Sequence, residues 1–296
     1  DLESAFKSYS LTAEIDSKIE SSNNPQMLVP LTAHLEITAE IGGRFRFTET
    51  GTSMNDGPKP DVYKSNVQGT FDGSVLRQMN GSNGNYSIGT ISPKATDASL
   101  RVDPRVYLTC YFQKTISEWI KQRDGTILGE VDYAGRKVIS VETAPKLVDG
   151  IEWKQSFLID PALNFAVVKR AALLKHAELD QWIEYTHIIT SDYINSNDSG
   201  IWVPQKAVYE SFVVNKTNVL KGDLNLPLSW RYDIRFDKWE INPTVSNADF
   251  IFEFESGIYV NDRITGRSYT YNKLTDQDLA DQLAAAGIVP GRLTPI

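Results

Sequence analysis

"IEWKQSFLIDPALNFAVVKR", residues 151–170, decides how this chain is read. Ile151, Trp153, Phe157 and Ile159 fall on one face of an extended strand, while Glu152, Lys154, Ser156 and Asp160 fall mostly on the other. That is the period of two expected of a half-buried β-strand. Asp160-Pro161 has the chemistry of a turn, and Phe165 and Val167 continue the apolar face on the return strand. The stretch is a hairpin with one heavily apolar face, and the question it poses is what that face covers.

The same alternation runs outward in both directions. Residues 8–20 place Leu11, Ala13 and Ile15 on one side, and residues 31–50 place Leu35, Ile37, Ala39 and Ile41 together before Gly42-Gly43 leads into Phe45 and Phe47. The glycine pair is either a hairpin turn or a kink in one long strand. Residues 51–60 are a loop, and Asp72-Gly73 and the Asn80–Asn85 cluster separate short strands. Beyond residue 126, strands are predicted at 126–133, 136–143, 151–160, 165–173, 181–194, 201–214, 227–240, 250–260 and 267–271. The connections are mostly too short for parallel crossovers, which predicts an antiparallel sheet. In 257–271, Ile258 and Val260 end one strand, Asp262 to Gly266 turns, and Tyr269 and Tyr271 begin the next, a simpler reading than a metal-binding loop.

Two segments change period. In 103–122, Asp103 and Pro104 suit a helix start, and Leu108, Phe112, Ile116 and Ile120 recur every fourth residue with Trp119 beside them. This predicts an amphipathic helix whose apolar stripe needs a cover, with Gly125 beyond its end. Residues 275–287 predict a short closing helix, with Thr275 and Asp278 as a capping box and Gly287 as C-cap. The fold class is therefore mainly β (α+β), with one domain over 1–274 and a C-terminal helix and tail over 275–296.

The totals narrow the function. The 296 residues are 41% hydrophobic and 23% charged, ordinary for a globular chain, and no run approaches the length of a membrane helix. A formal net charge of −8 disfavours binding to nucleic acid, and by the same reasoning attraction to anionic headgroups. Cys110 is the single cysteine, which excludes an internal disulfide and a four-cysteine zinc site, and its place inside the predicted helix, next to Tyr111 and Phe112, points to a buried, inert thiol rather than a nucleophile. The chain begins at Asp1 rather than Met, so a signal peptide or anchor is expected ahead of it.

Catalytic signatures are absent from the sequence. His34, His176 and His187 form no metal-ligand pair, and there is no nucleophile elbow, phosphate loop or dinucleotide fingerprint. His187 reads as a hydrogen-bonded histidine of a strand. No catalytic residue, metal or cofactor is expected. The strongest feature is the aromatic load: Trp153, Trp182, Trp202, Trp230 and Trp239 lie in or beside strand patterns and Trp119 in the helix pattern. They are either core, or the lining of a cavity or an aromatic platform.

The segment "FIFEFESGIYVNDRITGRSYTY" (250–271), through Phe252, Phe254, Gly257, Val260, Asp262, Thr265, Gly266 and Tyr269, resembles the last hairpin of the bacterial outer-membrane lipoprotein-sorting proteins, the LolA/LolB-like family. "VDGIEWKQSFLIDPALNFAVVKR" (148–170) is similar to that family's central hairpin, and "SGIWVPQKAVYES" (199–211) to the strand after its Gly-x-Trp-x-Pro turn. The resemblance implies a strongly curved antiparallel sheet, an unclosed half-barrel with helices against its concave side, where acyl chains or other apolar partners are held. It answers the opening question with an expectation: the face of Trp153, Phe157 and Ile159 lines the concavity, and the 103–122 helix, through Leu108, Phe112, Ile116 and Trp119, is its lid or plug.

The ligand-binding residues expected on this reading are Trp153, Phe157, Ile159, Phe165, Val167, Tyr185 and Trp202. The partners would be lipid, the acyl chains of a lipoprotein or an apolar protein segment, in the periplasm or cell envelope, without catalysis and without nucleic acid. The alternatives are an envelope sensor or interaction scaffold whose groove is plugged, a structural piece of a larger envelope complex, and a carbohydrate-binding or glycoside-active protein suggested by the strand tryptophans and the many carboxylates.

Overall fold

The structure, a computed structural model, describes residues 7–21, 24–41, 43–54, 61–94, 98–99, 110–111, 114–176, 181–196, 200–214 and 226–273. In chain order the elements are β1 (Ser8–Ser21), β2 (Asn24–Glu40), β3 (Phe45–Met54), β4 (Val62–Phe71), β5 (Leu76–Ser82), β6 (Asn85–Ser92), β7 (Cys110–Tyr111), β8 (Lys114–Thr115), α1 (Ile116–Gln122), β9 (Thr126–Tyr133), β10 (Arg136–Glu142), β11 (Lys146–Val148), β12 (Ile151–Asp160), β13 (Ala166–His176), β14 (Ile183–Asn195), β15 (Trp202–Phe212), β16 (Leu228–Ile241), β17 (Tyr259–Asp262) and β18 (Arg267–Thr270).

Sixteen of these strands form one sheet in the order β18-β17-β6-β5-β4-β3-β2-β1-β16-β15-β14-β13-β12-β10-β9, with β11 added alongside β12. The first six strands are a meander, and so are β12 to β16. Pairing of β1 with β16 joins the two, from Tyr9 opposite Ile241 to Ile19 opposite Trp230. The end strands β18 and β9 do not pair with each other, so the sheet is an unclosed half-barrel. It is antiparallel except where β17 runs parallel to β6, from Tyr259 opposite Ile88 to Asp262 opposite Ile91. The chain reaches that position through 242–258, a connection long enough to return β17 in the same direction.

Alternation builds the core. Leu11, Ala13 and Ile15 of β1, Leu35 and Ile37 of β2, Phe45 and Phe47 of β3, and Ile234 and Phe236 of β16 are all 3% exposed or less and form one cluster. Each of the leucine, isoleucine and phenylalanine side chains contributes about 1.5–3 kcal/mol by leaving water. The intervening Thr12, Glu14 and Asp16 are at least partly exposed on the other face.

The turns follow residue chemistry. Gly43 lies in a hairpin turn, with its N–H donating to the Glu40 carbonyl, and not in a kink, because β2 and β3 pair antiparallel on either side of it. Asn83-Gly84 has φ of 54° and 85°, the two left-handed residues that a tight hairpin needs. Ala134-Gly135 makes the same turn at 48° and 78°, but alanine has no side-chain oxygen to offset the left-handed strain. Ala134→Asn is therefore expected to raise stability by about 1 kcal/mol. Denaturant unfolding would measure it, and a midpoint that fails to rise would refute the strain argument.

Three elements differ from the sequence expectation, one of them β11 (Lys146–Val148), which the strand pattern does not predict. Among the described residues of 103–122 the helix spans Ile116–Gln122, and Cys110–Tyr111 and Lys114–Thr115 pair as a small antiparallel ribbon ahead of it. A fourfold apolar recurrence within so short a stretch is also compatible with strand alternation, and pairing prevails there. Cys110 accordingly sits in a strand and not in a helix. Asp103, Pro104, Leu108, Phe112 and the 275–287 helix lie outside the described residues. The predicted strand 250–260 is confined to Tyr259–Asp262. Phe252 and Phe254 alternate like strand residues but pack in the same cluster as Met79, Ile258 and Val260, while residues 251–256 join no ladder.

The closing hairpin has the expected turn. Asp262 accepts hydrogen bonds from the Ile264 and Thr265 N–H groups at 2.9 and 3.1 Å and from the Thr265 hydroxyl at 2.8 Å, and Gly266 takes φ of 69°. Its carboxylate is thus spent on the turn.

Candidate functional site

Strand β12 places Trp153, Gln155 and Phe157 on one face and Lys154, Ser156 and Leu158 on the other. Helix α1 packs on the first of these faces. Trp119 and Ile120 lie in one cluster with Phe157, Val141, Ile139, Ile159 and Val167. The Trp119 indole donates to the Gln155 side-chain oxygen at 3.0 Å, and the Arg123 guanidinium lies over the Trp119 ring at 4.8 Å. The helix stops there for a local reason. Asp124 turns left-handed at φ 49°, and the Gly125 N–H closes back on the Ile120 carbonyl at 2.9 Å. A Cβ at Gly125 would lie 2.1 Å from the Ile120 side chain, so only glycine permits this close return.

Beside the helix lies a pocket of about 240 Å³. Its aromatic walls are Trp119, Trp153 and Tyr185, its polar groups include Gln155 and Thr143, and Arg123, Lys146 and Lys154 also line it. Trp153 meets Tyr185 edge to face, with centroids 5.2 Å apart at 84°. Both belong to an apolar pad with Leu174, Ile183, Ile151, Val214 and Leu226. Lys154 is bonded to Glu142 at 2.5 Å and sits 4.5 Å from the centroid of the Trp182 ring.

The residues expected at the site are not all together. Trp153 and Tyr185 line the pocket. Phe157, Ile159 and Val167 lie under the helix, and Phe157 is only 1% exposed. Phe165 is 60% exposed, because it follows Asn164 in a turn where both backbones are left-handed, at φ 64° and 58°. Trp202 packs in another cluster with Val138, Leu163, Val168 and Tyr193. Its neighbour Val203 faces the main core, so alternation sends Trp202 to the opposite face. Trp119 belongs to the pocket wall as well as to the helix; the side chain of Ile116 and the whole of Leu108 and Phe112 are not described. Gln155, Arg123, Lys146 and Lys154 are pocket residues that the sequence reading missed. Gln155 did carry a signal, being a polar side chain between Trp153 and Phe157 on an apolar face.

The opposite face carries the ionic groups. His187 is hydrogen-bonded within its strand layer as expected: Nε2 lies 2.9 Å from Glu210 and Nδ1 2.8 Å from Glu184, the latter poorly aligned for a hydrogen bond. Lys169 adds a 2.9 Å bond to Glu184, and Arg231 joins Glu210 to Asp233 at 2.6 Å each. Burial pushes the Glu184 carboxyl up, but contacts with His187 and Lys169 outweigh it and hold it below the ordinary 4.5. Stability from such a carboxylate is complete above the unfolded value and is lost as pH falls through the folded one. Glu184→Gln should therefore flatten the decline of Tm between about pH 5 and pH 3. An acid limb identical to that of the parent would refute this. Among the described residues, no group of three His, Cys, Asp or Glu side chains could hold a metal ion, and no helix is long and apolar enough to cross a membrane.

No family model matches the sequence, and a search of characterised proteins finds none similar to it. Among solved structures the chain is similar to a domain assigned to outer membrane lipoprotein sorting from Vibrio parahaemolyticus, at 13% identity and TM-score 0.42, over 82% of this chain and 89% of that one. It is also similar to a beta-barrel-like protein of a domain of unknown function from Brucella abortus, at 10% identity and TM-score 0.30, over 81% and 99% of the two chains. These scores are too low to carry an argument about function; the unclosed half-barrel follows from this chain's own strand order.

Proposed function

We propose that this is a non-catalytic cell-envelope protein that reversibly holds part of an acyl chain, from a lipid or an acylated protein, in the aromatic pocket beside α1. One observation supports the reading above the others: Trp119, Trp153 and Tyr185 converge on an open pocket backed by the apolar pad, where a filled core would leave no space. Its volume, about 240 Å³, falls below the roughly 300–1,000 Å³ of pockets that enclose whole ligands. It suits a segment of chain, and five or six buried methylenes would contribute about 4–5 kcal/mol. That alone corresponds to about millimolar binding, weak enough for a carrier to release its cargo.

A second reading has its own support. Trp119 is hydrogen-bonded to Gln155, and the helix covers Phe157, as a fixed plug would. In that case the half-barrel is a scaffold for protein recognition. Native mass spectrometry separates the two. Protein purified without detergent should carry extra mass in the lipid range, or take up dodecanoate when it is added. A clean apo mass, with no uptake of fatty acid or acylated peptide, would sink the acyl reading and leave the scaffold.

A further inference from the structure

The formal charge of −8 argues against anionic ligands for the protein as a whole, but the pocket departs from that average. No carboxylate is among its described lining residues, whereas Arg123, Lys146 and Lys154 are. Glu142 balances Lys154. Among the described residues, neither Arg123 nor Lys146 is in an ion pair. Both are placed by the fold. Lys146 of β11 stands directly opposite Trp153 of β12, so the two side chains leave the same face of the ladder about 5 Å apart at Cβ. Arg123 is held over the Trp119 ring, its Cζ 4.8 Å from the centroid, which keeps its cation beside the pocket.

We propose that the pocket selects an amphiphile with an anionic headgroup, a carboxylate or phosphate monoester, whose charge is met by Arg123 and Lys146 while the first carbons of its chain lie on Trp153 and Tyr185. This deepens the acyl-chain reading and rests on it. The apolar contacts alone give weak binding, and a charge-assisted hydrogen bond adds both affinity and orientation. Lys146 is exposed and Arg123 partly so, and solvent therefore screens both charges, so the effect should depend on salt.

Titration of the full chain with dodecanoate, its methyl ester and inorganic phosphate, each followed by tryptophan fluorescence at low and high salt, tests the proposal. Dodecanoate should bind about tenfold more tightly than the ester at low salt, and the advantage should shrink at high salt. Lys146→Gln, at an exposed position, should reduce that advantage, and adding Arg123→Gln should remove the rest. Equal binding of acid and ester overturns the headgroup assignment but leaves the acyl reading standing. Binding of phosphate as tightly as dodecanoate overturns it too, since the site would then take a bare anion. If neither amphiphile binds, the acyl-chain reading itself fails.

Discussion

Trp153→Ala is expected to weaken dodecanoate binding about 30-fold, the equivalent of roughly 2 kcal/mol for losing a central tryptophan from a binding surface. Trp153 forms one wall of the pocket and also holds Tyr185 in place through their edge-to-face contact. Removing it opens one side to water and frees the second aromatic. Trp202→Ala is the matched control. It deletes the same side chain from the same sheet, but from the cluster with Val138 and Leu163 on the opposite face. Fluorescence titration of both variants gives a direct comparison. Equal losses would mean that general loosening of the sheet, and not the pocket, governs binding; no loss in Trp153→Ala would remove the pocket from the mechanism.

Phe157→Ala is expected to destabilise the fold by about 3–5 kcal/mol, the usual cost of an emptied aromatic site in a core. Phe157 is 1% exposed and touches both the sheet and the helix through Trp119, Ile120, Ile139 and Ile159. The cavity left behind would lie directly under α1, which at seven residues has little stability of its own and depends on this packing. Phe165→Ala, at a position 60% exposed, should cost under about 0.5 kcal/mol. Urea unfolding of the two variants checks the contrast. A cost below 1 kcal/mol for Phe157→Ala would show that the helix does not seal this part of the sheet. A helix loosened in that variant, with faster lipid uptake, would favour a movable lid over a fixed plug.

Much of this architecture was legible in the residues. Alternation over Leu11, Ala13 and Ile15, over Leu35 and Ile37, and over Trp153 and Phe157 follows from two facts about each strand: its side chains alternate, and one of its faces is buried. The turns at Asn83-Gly84 and Asp262–Gly266 were legible because left-handed backbone and side-chain-capped turns need particular residues. Antiparallel pairing followed from short connections and failed only at β17, where the connection is long.

Other features required the folded chain. Period alone could not separate a helix from a strand ribbon over 110–115, because a few apolar residues fit both, and ladder bonds between Cys110–Tyr111 and Lys114–Thr115 decided it. The placing of Phe165 and Trp202 depended on a left-handed turn and on strand parity, neither of which shows in a list of apolar residues. The sequence by itself determined most of the strands, most of their turns and which side of most strands is apolar, since these depend on neighbours one to four residues apart. Only the tertiary structure decided that Arg123 on a helix end, Lys146 on a three-residue strand and Trp153 on a long one share a pocket. That depends on the register between strands and the docking of the helix, which are set by the packing of the whole sheet.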